Sequence, residues 1–442
     1  MKKYFTVILV CICIIWIGMH YNQDRANRLT QNSNNTINNH NNDFITFSDP
    51  YLEQAIREKT SKITGEIHKS DLQNITVLEI TSANIKDLSG IENLSNLEEL
   101  DLSWNDIRDI SSMSNLTNLV KLNLAYNDIH DIRSLNNLKN LTQLNISHTL
   151  IEDITPLSNL SDLTILNISH CEHIDYTNIN VLGDLSNLTE LYFYSYEISD
   201  INFLSNIPNL TKLSLYLNES NDVKVLSKLT KLNWLSLGVY ESIDLSFFEN
   251  LTNLTELYLG YDGNADISPL SNLSNLQKLH LPGYISGGKS NLKNISVLNN
   301  LENLTELNLF NAEISDIGPL HNLINLTKLN LSDNQISDIS ALENLENLTE
   351  LKLNNNKISD ISTLQNLTNL IKLDLSNNQV SDINALSNLE NLTELKLNSN
   401  KIYDINSLKK LSKLTCLLLN ENQISDYSPI NEYYQKLQIK DF

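Results

Sequence analysis

The stretch LTKLNLSDNQISDISALENLEN, residues 326–347, decides how this chain folds. It follows the pattern L-x-x-L-x-L-x-x-N-x-I-x-D-I-x-x-L-x-x-L-x-x, in which the L-x-L core alternates as a strand does, Leu to one face and intervening residues to the other. Past the Asn, apolar positions fall three apart, as at Ile107, Ile110, Met113 and Leu116 of an earlier copy, a spacing that suits a 3₁₀-like or extended return path. One such unit makes a coil that cannot bury its own Leu face.

Working outward, the pattern recurs with starts at Ile75, Leu97, Leu119, Leu141, Leu163, Leu188, Leu210, Leu232, Leu254, Leu276, Leu304, Leu326, Leu348, Leu370, Leu392 and Leu414. Thirteen of the fifteen spacings are 22 residues; the others are 25 after Leu163 and 28 after Leu276. Sixteen units at a fixed period predict an α/β repeat fold, a right-handed leucine-rich-repeat solenoid with a parallel concave sheet and an irregular or 3₁₀ convex side. At about 4.8 Å per strand the sheet would run roughly 75 Å. Residues 75–426 are the repeats. Residues 44–74 read as a helical N-terminal cap, with Ser48-Asp49-Pro50 as N-cap and first turn and Leu52, Ala55 and Ile56 on one face. Residues 427–442 leave the pattern and bring Tyr427, Tyr433, Tyr434 and Leu437 to close the other end.

Ahead of the cap, Lys2 and Lys3 precede an apolar run from Tyr4 to Met19, the layout of an export signal. Residues 1–20 are therefore expected to be a cleaved signal peptide or an uncleaved signal-anchor helix that tethers the chain to a membrane. Either places the remainder outside the cytoplasm, secreted or anchored at the cell surface. Residues 21–43, rich in Asn, cannot bury a core and read as a spacer.

The formal net charge is −22, from 53 Asp and Glu against 31 Lys and Arg, so a nucleic-acid partner would be repelled. Much of that charge is consumed by the repeat. Position thirteen is Asp in fifteen of sixteen units, with Asn294 the exception, and is expected to cap the turn. Position three alternates in sign, as in Glu99 and Lys121 or Glu190 and Lys212, which predicts a self-neutralising ladder. As a whole, the net charge points to no cationic ligand. Position nine carries Asn in eight units, expected to form a buried ladder between coils; Tyr196, Tyr240 and Tyr284 are too large for that slot and predict remodelled turns.

No cofactor or metal is called for. His148 and His170 share a position in adjacent coils beside Cys171, but Cys171 sits at the inward ladder position, away from the imidazoles. GYISGGKS at 283–290 fits G-x-x-x-x-G-K-[ST], yet it follows a solenoid strand and does not open a helix, so it predicts no nucleotide site. No catalytic constellation stands clear of the repeat, and an enzyme is not expected. The informative departure is in the sixth to eleventh units. Their outward strand or adjoining positions carry Tyr192, Tyr194, Tyr216, Trp234, Tyr258, Tyr261, His280 and Phe310, where later units hold Asn, Ser, Lys and Asp. Large aromatics exposed on a rigid face are what interface hot spots and sugar-stacking platforms use, so these eight residues are the candidate ligand site.

The unit at 326–347, the stretch DPYLEQAIREK…SDLQNITVLEI…IKDLSGIENLSNL and the closing ISDYSPINEYYQKLQIKDF resemble bacterial internalins and related secreted leucine-rich-repeat proteins. That resemblance implies a surface or secreted protein that binds a protein or glycan ligand through its concave face. A 22-residue unit is also similar to that of the leucine-rich-repeat subunit of protein phosphatase 1, which implies the alternative of an intracellular regulatory scaffold.

Overall fold

The computed structural model describes residues 44–194, 198, 200–217, 223–239, 244–261, 266–283, 292 and 294–442. The export signal, the Asn-rich spacer, the turns at Tyr196, Tyr240 and Tyr284, and residues 284–290 of the GKS stretch lie outside them.

Each of the sixteen units contributes one strand to a single parallel sheet in chain order, from Val77–Glu79 to Cys416–Leu418. A seventeenth short strand, Ile439–Lys440, adds to the last of these. The register is in phase with the period: Leu329 faces Leu307 on one side and Leu351 on the other, and Lys328 faces Glu306 and Glu350. Leu therefore stacks on Leu, and one continuous apolar core runs the length of the array. From Ile91–Asn93 in the first unit onward, each return path contains a 3₁₀ segment among the described residues, such as Ser340–Leu342, whose Leu342 is buried in that core. Three residues per 3₁₀ turn bring every third side chain to the same face, as the spacing predicted.

Polar side chains close the remaining backbone groups. Asn127 accepts from Ile107 N at 3.0 Å and donates to Leu102 O at 2.9 Å and Leu124 O at 3.0 Å, joining two coils through one buried amide. Asn105, Asn334, Asn356, Asn378, Asn400 and Asn422 make the same donations. Where Asn is replaced, Thr149 donates to Ile146 O and the Cys171 thiol lies 3.2 Å from that carbonyl, buried in the ladder as its position required. The thirteenth-position Asp caps the turn: Asp360 Oδ1 accepts from Ser362 N at 2.8 Å, and Asn294 does the same for Ser296 N at 2.9 Å.

The first end is covered by the helix Pro50–Thr60. Asp49 caps it, accepting from Tyr51 N and Leu52 N through Oδ1, while its Oδ2 takes Lys86 N of the first coil at 2.8 Å. One carboxylate thus fixes the cap to the solenoid, with Leu52 and Ile56 buried beneath. At the far end, Tyr433 is buried and donates to Leu408 O at 2.8 Å, and Asp441 accepts from Leu419 N in the place of the backbone carbonyl that a further strand would offer.

Candidate functional site

Among the described residues, the strand is three residues long in twelve units, and in the sixth to ninth it lengthens to Glu190–Tyr194, Lys212–Leu217, Trp234–Val239 and Glu256–Gly260. The cause is local. In the units that keep a short strand, the eighth residue commonly turns left-handed, as at Asp333, Asn355 and Asn377 with φ of 58°, 57° and 56°. In the seventh and eighth units Leu217 and Val239 occupy that position, and branched apolar residues continue a strand instead. The longer strands present an extra outward row.

On this widened face Tyr192, Trp234, Tyr258 and His280 form one row across five coils. Ring centroids are 5.9 Å apart for Tyr192 and Trp234, 5.7 Å for Trp234 and Tyr258, and 4.4 Å for Tyr258 and His280. The small residues Ser214 and Ser236 lie between Tyr192 and Tyr258 in the sheet register and are themselves buried, which leaves room for the indole. Lys and Glu edge the row. Tyr192 Oη donates to Glu190 Oε2 at 2.8 Å, Lys212 pairs with Glu190 at 3.0 Å, and Lys278 pairs with Glu256 at 2.9 Å. His280 Nε2 lies 3.2 Å from Glu306 Oε1, an electrostatic contact not aligned as a hydrogen bond. Together with Lys328, the imidazole holds the Glu306 carboxyl below the usual range against the opposing effect of burial.

The expectation of exposed aromatics needs correcting. Tyr192 and Tyr216 are 2% exposed and Trp234 8%, because the rings of Tyr192, Trp234 and Tyr258 cover one another across the intervening serines and Tyr216 lies on Gly238. Tyr216 packs over the backbone of Gly238, its register partner, where only hydrogen leaves space for the ring. Tyr261 turns into the core, where burial pushes its phenol up. Phe310, half-buried in the eleventh unit, is separate from the row. Tyr194 pairs with Tyr216 through its strand backbone; its side chain lies outside the described residues. The charge ladder is partly as anticipated: Lys121 meets Glu99 at 3.1 Å across strands, whereas Glu350 is taken by Lys352 of its own strand at 2.9 Å.

A second aromatic feature was missed. Trp104, Tyr126, His148 and His170 stack face to face in consecutive coils, with centroids 3.7, 4.0 and 4.3 Å apart. All four occupy position eight with φ between 54° and 60°, a conformation that disfavours bulky residues. The two imidazoles therefore stack instead of converging on a shared ligand. Their 22-residue spacing was visible for the two His and extends to Trp104 and Tyr126.

Models of leucine-rich repeats match residues 93–110, 117–159 and, in overlapping pairs, 302–410. The chain is 30% identical to an internalin of Listeria monocytogenes over 90% of its own length and 96% of that chain, with a TM-score of 0.47. The chain is an internalin-like leucine-rich-repeat protein. A leucine-rich-repeat protein of Leptospira interrogans, 22% identical, superposes over 85% of this chain and 97% of its own with a TM-score of 0.61. A plant peptide hormone receptor, solved in complex with RGF2, is 23% identical over 85% of this internalin-like chain and 63% of the receptor, with a TM-score of 0.60. No curated protein matches the chain significantly.

Proposed function

We propose that this internalin-like chain is an exported, non-enzymatic recognition protein that binds a protein ligand across the sheet face of its sixth to eleventh coils. The carrying observation is the widened face itself: a row of packed rings from Tyr192 to His280, edged by carboxylates already held by Lys212, Lys278 and Lys328. Rings and charges fixed before binding lower the ordering cost of association, which is how a rigid scaffold gains affinity. A partner needs only to lay an apolar segment along the ring edges and set polar groups against the flanking Glu. The plant receptor's peptide complex supports a protein over a glycan as the ligand class. Lys2, Lys3 and the apolar run behind them support export. Among the described residues no helix is long and apolar enough to cross a membrane.

The test is a binding screen of the purified chain against surface and secreted proteins, with a glycan panel alongside. A protein hit that is lost in the Tyr192→Ser, Trp234→Ser, Tyr258→Ser triple variant, with circular dichroism unchanged, supports the reading. A hit that survives in that folded variant places the ligand elsewhere, and a glycan hit sinks the protein assignment.

A further inference from the structure

The stacked column in the second to fifth coils lies apart from the row just described. Its inner members cover one another's faces, but Trp104 ends it. Tyr126 occupies one face of the indole at 3.7 Å, the coil on the other side carries only the exposed Ser82 at that position, and Trp104 is 53% exposed. Holding Trp, Tyr and two His in left-handed backbone, where other coils use Asn, Asp, Ser or Glu, costs folding energy that stacking offsets. Strain of this kind persists where the surroundings over-determine it, as the stacked rings do here.

On the two coils at this end of the column, Glu79 and Asp101, three residues before Ser82 and Trp104, are direct cross-strand partners, the only pair of like charges among the described strand registers. Like charges placed so destabilise a sheet unless a cation joins them. Local cations are engaged elsewhere: Lys86 with Asp106 at 3.8 Å, Arg108 with Asp128 at 3.2 Å and Lys121 with Glu99 at 3.1 Å. Asp101 accepts only from the neutral Ser103 and Asn123, and exposed Glu79 makes no hydrogen bond or ion pair among the described residues.

We propose that the open face of Trp104, with Glu79 and Asp101 on the strands that lead into it, is a docking site for an arginine side chain of a basic peptide segment. A guanidinium stacks on indole with its planar face and keeps its N–H groups in the ring plane, free for the carboxylates. A neutral sugar would stack but leave the paired charges uncompensated. The site is physically separate from the sixth to eleventh coils, so its failure and the failure of the ring-row proposal are read by different variants.

The probe is an oligo-arginine peptide titrated into the full chain, followed by tryptophan emission, with oligo-glutamate and neutral oligosaccharides as comparisons. Oligo-arginine is expected to change the emission of the exposed indole; Trp104→Phe removes that change, and Trp104→Ala or Glu79→Gln weakens binding about two- to fivefold. Trp104→Phe keeps a ring on Tyr126, so it separates loss of the site from loss of the stack. Oligo-arginine bound equally by all variants would mean general attraction to an acidic surface and overturn the proposal, as would emission changes produced by the oligosaccharides alone.

Discussion

Gly238→Ala tests whether the widened face is built by close packing of Tyr216. A methyl on Gly238 would lie 2.4 Å from Tyr216 Cδ2 and 2.6 Å from Cε2, well inside the roughly 3.5–4.0 Å of carbon contact. The ring has two escapes. Swinging into water forfeits its burial; at about 25 cal/mol per Å² over roughly 150–250 Å², that is about 4–6 kcal/mol. Spreading the strands costs about 1–3 kcal/mol, the usual range for overpacking, and is the route the molecule should take. The assay is urea unfolding followed by fluorescence of Trp234, which shares the strand with Gly238 and reports these coils even where the array unfolds in stages. Tyr216→Ala removes the obstacle, so adding Gly238→Ala to it should cost almost nothing. The expected coupling in the double-variant cycle is therefore about 1–3 kcal/mol. Additivity within about 0.5 kcal/mol would show that the two residues do not press on each other and would refute the packing argument.

Three further outcomes follow from the same geometry. Asn127→Ala leaves two buried carbonyls and one buried amide without their partner and should cost about 3–5 kcal/mol in chemical denaturation, whereas half-buried Asn422, which water can reach, should cost about 1 kcal/mol; equal costs would show that the ladder's burial is irrelevant. Burial holds His148 down to about 4 and His170, with His148 beside it, to about 3. The unfolded chain takes up both protons near pH 6.5 and the folded one does not, so stability falls as pH drops from about 6.5 through 4. Thermal melts of the His148→Asn, His170→Asn variant should lose that slope, and an unchanged slope would contradict the stacked, desolvated imidazoles. Finally, the chain expressed with residues 1–43 should be recovered outside the cytoplasm on fractionation, and loss of that localisation on Lys2→Glu, Lys3→Glu is the expected control; a wild-type chain found in the cytosol would favour the intracellular scaffold.

The period of 22 residues determined the architecture without help. A strand needs alternation and a 3₁₀ return needs every third residue apolar, and both constraints act within a few residues of one another, so Leu329 and Leu331 declare their faces from local spacing alone. The ninth-position Asn and thirteenth-position Asp were equally legible, because each satisfies backbone groups of its own or the adjoining coil. Ring placement was different. That Tyr192, Trp234, Tyr258 and His280 share a face follows from register, but whether water or another ring covers them depends on side chains 22 and 44 residues away, whose rotamers no local rule sets. Tyr261 went inward and Tyr216 settled over Gly238 for the same reason. The Trp104 column became a column only when φ near 60° at four successive coils stacked the rings. What the sequence settled was local satisfaction of backbone and core; what tertiary structure decided was exposure, because exposure is a property of neighbours.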